Sequence, residues 1–283
     1  MKPFRTWAAA LTLALAGGLV AHLLGQRAFS RLVRRDVAAL HARAAPAPAT
    51  VVSDAMLRDL PAPVQRYLRY TGVVGQPLVR TVHLRQTGRM RLVPGQPWLQ
   101  LTAVQHFSVQ PPGFVWDGTL HLGPLPLARG RDRYRDGAGH MLVKVGSLLT
   151  VANARGPEMD QGALVRYLGE MIWFPTALLG ENLRFEPVGD AAARVTLTDH
   201  GRRVSGVMDV DAEGRLTRFV AERYRTVDGR YELATFAAEV LAYGERAGLT
   251  LPVRAQGVWK LPAGDFAYID VTVTDVAYDA AQP

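Results

Sequence analysis

Residues 79–92 read VRTVHLRQTGRMRL, and the fold follows from how this stretch alternates. Val82, Leu84, Met90 and Leu92 fall on one parity, while His83, Arg85, Thr87, Arg89 and Arg91 fall on the other. A period of two with one dry and one wet side is the pattern of a strand half-buried in a sheet. Outward from it the alternation repeats through Leu99, Leu101, Ala103, Phe107 and Val109, then Phe114, Trp116, Leu120 and Leu122, then Met141, Val143 and Val145. Pro94-Gly95, Pro111-Pro112-Gly113 and Asp136-Gly137 separate these runs with the turn residues that antiparallel hairpins need.

Further along, strand patterning resumes over residues 194–199, 204–210, 216–224, 231–241, 253–261 and 266–278, with residues 211–214 and Asp228-Gly229 as hairpin turns. About ten or more antiparallel strands in succession twist and curl instead of lying flat. The expected class is therefore α+β: a large curved antiparallel sheet, half-barrel or barrel-like, with a few helices. One helix interrupts the strands, opened by Glu158 and Asp160 and carrying Leu164, Tyr167, Leu168, Met171 and Ile172 at helical spacing before Pro175. Ahead of the strands, Ser53 reads as an N-cap for Met56, Leu57 and Leu60; Pro61 and Pro63 open a second short helix that Gly72 ends.

Before this body lies a hydrophobic stretch, residues 7–24 (WAAALTLALAGGLVAHLL), preceded by Lys2 and Arg5. Eighteen such residues are just long enough to cross a hydrocarbon core about 30 Å thick. No small-x-small cleavage site follows closely, so a retained signal-anchor is expected in preference to a cleaved leader. Phe29, Leu32, Val33, Val37 and Leu40 prolong it as an amphipathic helix expected to lie on the membrane surface. Residues 44–50 (AAPAPAT) form a linker. The expected organisation is a transmembrane helix over residues 1–26, a basic helix and linker over 27–50, and one β-rich domain over 51–283. Of the formal charge of +8, six units belong to residues 1–50, where seven basic side chains face Asp36 alone. The body is nearly neutral, so the charge suits anionic headgroups, and nucleic acid is not expected as a partner. The localisation expected is a bacterial cell membrane, single-pass. Positive-inside counting of Arg27, Arg31, Arg34 and Arg35 favours a cytoplasmic body, yet large domains translocate despite such charge, and the extracytoplasmic side is expected.

There are no cysteines, which excludes disulfides, thiolate metal sites and lipidation of a cysteine. No metal or cofactor is expected, because the histidines show no HxxxH or HExxH spacing. Adjacent strands can still bring His83, His106 and His121 together on one polar face. The serines lack nucleophile-elbow context, so no catalytic residue is assigned and the chain reads as a binding protein sooner than an enzyme. A hydrolase with an acid or histidine site assembled in space, using Glu170 or His106, stays open. Trp116, Tyr167, Trp173 and Phe174 are candidates to line an apolar cavity, against ordinary core packing. Arg166 and Glu170 are spaced for an i, i+4 pair on an exposed helix face. His83 and Arg85, with Arg89 and Arg91, form a basic strand face that suits phosphate headgroups or an acidic partner, or is a solvated surface.

The stretch Arg166-Tyr167-Leu168, Glu170 and Trp173-Phe174-Pro175-Thr176-Ala177-Leu178-Leu179 resembles the signature of an uncharacterised bacterial domain family. Leu60-Pro61, Val64-Gln65-Arg66-Tyr67-Leu68, the strand from Arg85 to Arg91, and Trp259-Lys260-Leu261 with Phe266-Ala267-Tyr268 resemble it at similar positions. The resemblance implies one continuous domain and brings no function. More distantly the layout is similar to lipoprotein-carrier (LolA-like) periplasmic proteins, which implies a curved sheet wrapped around helices and an apolar cavity. The function expected on these grounds is a membrane-tethered envelope protein holding a lipid, lipoprotein or other hydrophobic ligand in the concavity of its sheet. The alternatives are a scaffold or interaction protein without a small ligand, or the hydrolase.

Overall fold

The computed structural model describes residues 2–44 and 50–279, with side chains from Gly17 onward. Thirteen strands form one sheet in which every neighbouring pair is antiparallel. The first meander comprises β1 Thr81–Met90, β2 Leu99–Ser108, β3 Gly113–Leu122, β4 Leu125–Arg135, β5 Ala138–Val145 and β6 Leu149–Ala154. The second comprises β7 Leu183–Pro187, β8 Ala192–Asp199, β9 Arg202–Val210, β10 Leu216–Val227, β11 Arg230–Arg246, β12 Leu249–Leu261 and β13 Gly264–Tyr278. The chain starts in the middle of the sheet at β1, steps outward to β6, crosses to the far edge at β7 and returns to place β13 beside β1. The edges β6 and β7 do not pair, so the sheet is open, a half-barrel. Bulges in β10, β11, β12 and β13 bend it, since an extra residue on one strand raises local twist.

The crossover from β6 to β7 carries α3 Pro157–Glu170 and two 3₁₀ turns, Met171–Trp173 and Pro175–Leu179. α3 lies across the inner face against β4, β5, β9 and β10. α2 Ala62–Thr71 packs beside it on β8, β9 and β12, and Gly72 ends α2 in the left-handed region, φ 77°, where glycine pays no Cβ penalty. Ser53 makes no side-chain cap bond, and the segment after it forms only the 3₁₀ turn Asp54–Leu57. The main core lies between these helices and the inward parity of the strands: Val82, Leu84, Phe107, Phe114 and Tyr134 from one meander, Val195, Leu197, Met208 and Phe219 from the other.

The C-terminal half of α1 Lys2–His41, from His22 to His41, runs along the outer face of the sheet. Phe29, Val33 and Leu40 are buried there with Val115, and Val37 and Leu142 flank them. This corrects the expectation that this apolar stripe lies on lipid: it is covered by β3 and β5 instead. Asp36 sits in the same interface, 3.4 Å from Arg131 and 3.3 Å from Arg133. The stretch 7–24 falls mostly outside the residues with described side chains; among the described residues no helix is long and apolar enough to cross a membrane.

Candidate functional site

α3 is pinned in the lower half of the inner face, the half holding the starts of β1 and β3. The Tyr167 hydroxyl donates to the Ser108 carbonyl at 3.0 Å, the Trp173 indole N–H to the Pro252 carbonyl at 3.0 Å, and Phe174 stacks 4.7 Å from Phe107. Tyr167, Trp173 and Phe174, candidates for a cavity lining, are thus placed in the core, each at most 5% exposed.

Toward the other half of the inner face, α3 presents Arg166 and Glu170. They form the predicted i, i+4 pair at 2.8 Å, but against the sheet and not toward solvent: Arg166 also reaches Asp132 on β4 at 2.8 Å, and Gln105 on β2 donates to Glu170 at 2.7 Å. The side chains of Arg166, Glu170 and Asp132 are 17%, 15% and 8% exposed. Burial pushes the Glu170 carboxyl above its ordinary range against the pull of Arg166. Burial also opposes the Arg166 charge, but Glu170 and Asp132 outweigh it and hold the guanidinium firmly protonated. Asp132 Oδ1 has no hydrogen-bond partner among the described residues.

Above this cluster lies Trp116. Its indole N–H donates to Gln86 at 3.1 Å, and its ring covers Gly118 so closely that a Cβ there would sit 2.0 Å from the indole. The guanidinium of Arg166 lies 5.1 Å from the Phe114 ring centre and 5.2 Å from that of Trp116, a charge over aromatic faces. Across the same face Phe236, Trp259 and Phe266 form a second buried cluster flanked by Tyr268, separate from the main core. Arg223 stacks over Phe236 at 5.1 Å while its Nε donates to the Gly162 carbonyl of α3 at 3.0 Å. Met90, Leu120, Met141 and Ile269 are only partly buried along the same strands. The upper half of the concave face, its upper trough, therefore presents aromatic and partly covered apolar side chains, with the charged cluster where α3 meets β2 and β4.

The outer face differs. His83 and His106 are paired across β1 and β2, their rings 4.8 Å apart. His41 from α1 joins them, its Nε2 3.3 Å from His106 Nδ1. Burial, then the neighbouring His83 and His41, pushes His106 down to about 3. His121 stays apart, bonded to Thr102 at 3.0 Å. Among the described residues no group of three or more His, Asp or Glu is placed to hold a metal ion. Arg89 shares Asp270 with Arg254, at 3.2 and 2.9 Å, and Arg91 stacks on Trp98 at 4.6 Å; Arg85 stands beside a cleft of about 530 Å³ between α1 and the sheet. His22, Gln26, Thr102, Asp117 and Arg129 also line it.

Asp132, Gln105 and Gln86 escaped the sequence reading. Their one signal is that polar residues occupy the inward parity of otherwise apolar strands, visible once a neighbouring Phe107 or Tyr134 sets that parity.

A comparison with curated proteins gives no match. Among solved structures, the chain is similar to one described as an outer membrane lipoprotein-sorting protein domain from Vibrio parahaemolyticus, at 11% identity over 72% of this chain and 87% of that one, TM-score 0.43. It is also similar to a LolA superfamily protein from Nitrosomonas europaea, at 10% identity over 78% of this chain and 93% of the other, TM-score 0.33. Neither likeness bears on function. The signature around Arg166 and Trp173 lies within residues 50–271, which match the family of unknown function DUF6544, and the chain belongs to that family.

Proposed function

We propose that this protein is a membrane-tethered, extracytoplasmic binding protein that holds an amphiphile in the upper trough of its concave face. Its single strongest support is the Arg166–Glu170–Asp132–Gln105 cluster at the base of an aromatic trough. Taking three charged groups out of water costs several kcal/mol per ion, and a packed apolar core is usually at least as stable. Charges kept at such a place, beside aromatic and partly covered apolar walls, suit a ligand with a polar head and an apolar body. In this reading Asp132 Oδ1 accepts a hydrogen bond from a hydroxyl or ammonium head, Arg166 holds Asp132 in place, and Trp116, Met141, Ile269 and Tyr268 take the chain. Tyr167, Trp173 and Phe174 act from behind, by fixing α3.

The test is organic extraction of the purified full chain and mass spectrometry of the extract beside a mock purification. The reading expects an amphiphile near one per chain in the wild type and much less in Arg166→Met/Glu170→Gln. An extract identical to the mock, from protein shown to be folded, overturns it.

A further inference from the structure

Three hairpin tips stand out on the first meander. Residues 92–97 read LVPGQP, residues 122–127 LGPLPL and residues 146–151 GSLLTV, and none contains a charged residue. Leu92, Val93, Leu122, Leu125, Leu127, Leu148, Leu149 and Val151 are all exposed in them, Leu125 at 67% and Leu92 at 66%. Two turns of the second meander are built differently: residues 211–215 read DAEGR and residues 228–230 DGR. Because β1 to β6 are neighbours in order, the three tips lie side by side at one end of the sheet, about 10 Å apart for every two strands. Single exposed apolar residues are ordinary, whereas a contiguous row marks an interaction surface.

The position of α1 identifies what covers the row. Its lower end is fixed by Arg43 on Asp136 at 2.8 Å and by His41 on His106. Its upper end is fixed on the third tip, where His22 bonds the Gly146 carbonyl at 2.7 Å and Gly25 comes so near that a Cβ would sit 2.6 Å from the Ser147 carbonyl oxygen. From there toward the N-terminus Leu19, Val20, Leu23 and Leu24 are exposed, continuing the uncharged sequence that begins at Trp7. Just below the tips Arg27 and Arg31 are exposed on α1, and Trp98 with Arg91 flanks the first tip. Apolar tips, a bordering tryptophan and basic residues one to two turns behind follow the order of a bilayer interface.

We infer that the β1–β2, β3–β4 and β5–β6 tips, together with the emerging end of α1, form a lipid-bilayer docking edge that seats the open upper end of the trough on the membrane. The inference rests on the tethered reading of α1 and adds that the domain lies against the bilayer instead of hanging free of it. An amphiphile then passes between bilayer and trough without crossing water.

The chain has no cysteine, so single cysteines can be placed without background. Full chains carrying Leu92→Cys, Leu125→Cys, Leu149→Cys, Leu13→Cys or, at the opposite end of the sheet, Gln110→Cys are labelled with an environment-sensitive fluorophore. They are then reconstituted into phosphatidylethanolamine–phosphatidylglycerol vesicles. The tip labels are expected to shift to the blue and lose most of their emission to nitroxide-bearing lipids, with Gln110→Cys quenched only by aqueous iodide. Tip labels quenched by iodide alone, with Leu13→Cys in lipid, overturn the docking edge and leave the tether standing. Tip labels in lipid with Leu13→Cys in water keep the edge and overturn the tether; all labels in water overturn both.

Discussion

Replacing Arg166 by methionine removes the cation bonded to both carboxylates, Asp132 and Glu170, whose side chains are 8% and 15% exposed. Breaking a buried pair from one side costs about 3–5 kcal/mol, because the remaining charge keeps its desolvation cost. Residual exposure lets water screen part of this, which places the expected loss near the lower end, about 3 kcal/mol. With a urea m-value of about 2–3 kcal/mol/M for a domain of this size, the midpoint of denaturation falls by roughly 1–1.5 M. Adding Glu170→Gln removes one of the stranded charges and restores part of the loss, a coupling that two independent sites would not show. The pH dependence gives a second reading. Burial holds Glu170 above its ordinary range, so between the unfolded value and the folded one the native state carries a proton that the unfolded chain has released. Stability contributed by this group is therefore full below its unfolded value and lost as pH rises through the folded one. The deficit of Arg166→Met should shrink from pH 7 to pH 5, and the double variant should lack that slope. A single variant as stable as the wild type, or a double variant no better than the single, refutes the description of the cluster as a buried ionic network.

Three further outcomes are expected. Acid should weaken the clasp of α1: His106, held down to about 3 by burial, refuses a proton that the unfolded chain accepts near pH 6.5. Stability is thus lost as pH falls from there, by about 1.4 kcal/mol per unit, and urea midpoints at pH 7 and pH 5 should converge in His106→Asn. Asp36→Ala leaves Arg131 and Arg133 without their shared counter-charge and should cost about 3 kcal/mol, read as faster hydrogen exchange over residues 27–41 while strands of the second meander stay protected. Gly118→Val places a side chain where the Trp116 ring lies; overpacking of this kind costs about 1–3 kcal/mol, and the expected signature is a red-shifted tryptophan emission with loss of the bound amphiphile.

Much of the sheet was legible because β1 and β2 bury one parity and leave the other more exposed, which is what a period of two reports. β4 was not. It reads LPLARGRDRYR: its inward positions hold Ala128, Gly130 and Asp132, left small or charged by Trp116 and Arg166, while its outward arginines are matched by Asp117 and by Asp36 of α1. Neither parity is apolar, so periodicity has nothing to detect. β6 and β7 are short edge strands with weak patterns. The stripe of α1 was legible as amphipathic, but an apolar stripe does not say whether lipid or a sheet covers it, and Val115 on the outer parity of β3 was the hint that protein does. At the site, Arg166, Glu170 and Trp116 were candidates from spacing and residue type. Their partners come from strands 30 to 65 residues away and needed the cross-strand register to be known.

If the upper trough holds the apolar part of an amphiphile, a phospholipid with a photoactivatable acyl chain will react there. After illumination of the full chain in vesicles, adducts are expected on peptides bearing Trp116, Met141 and Tyr268–Ile269, with their loss in Gly118→Val. Adducts confined to α1 and the hairpin tips, with none on the inward face of β3, β5 or β13, would contradict it.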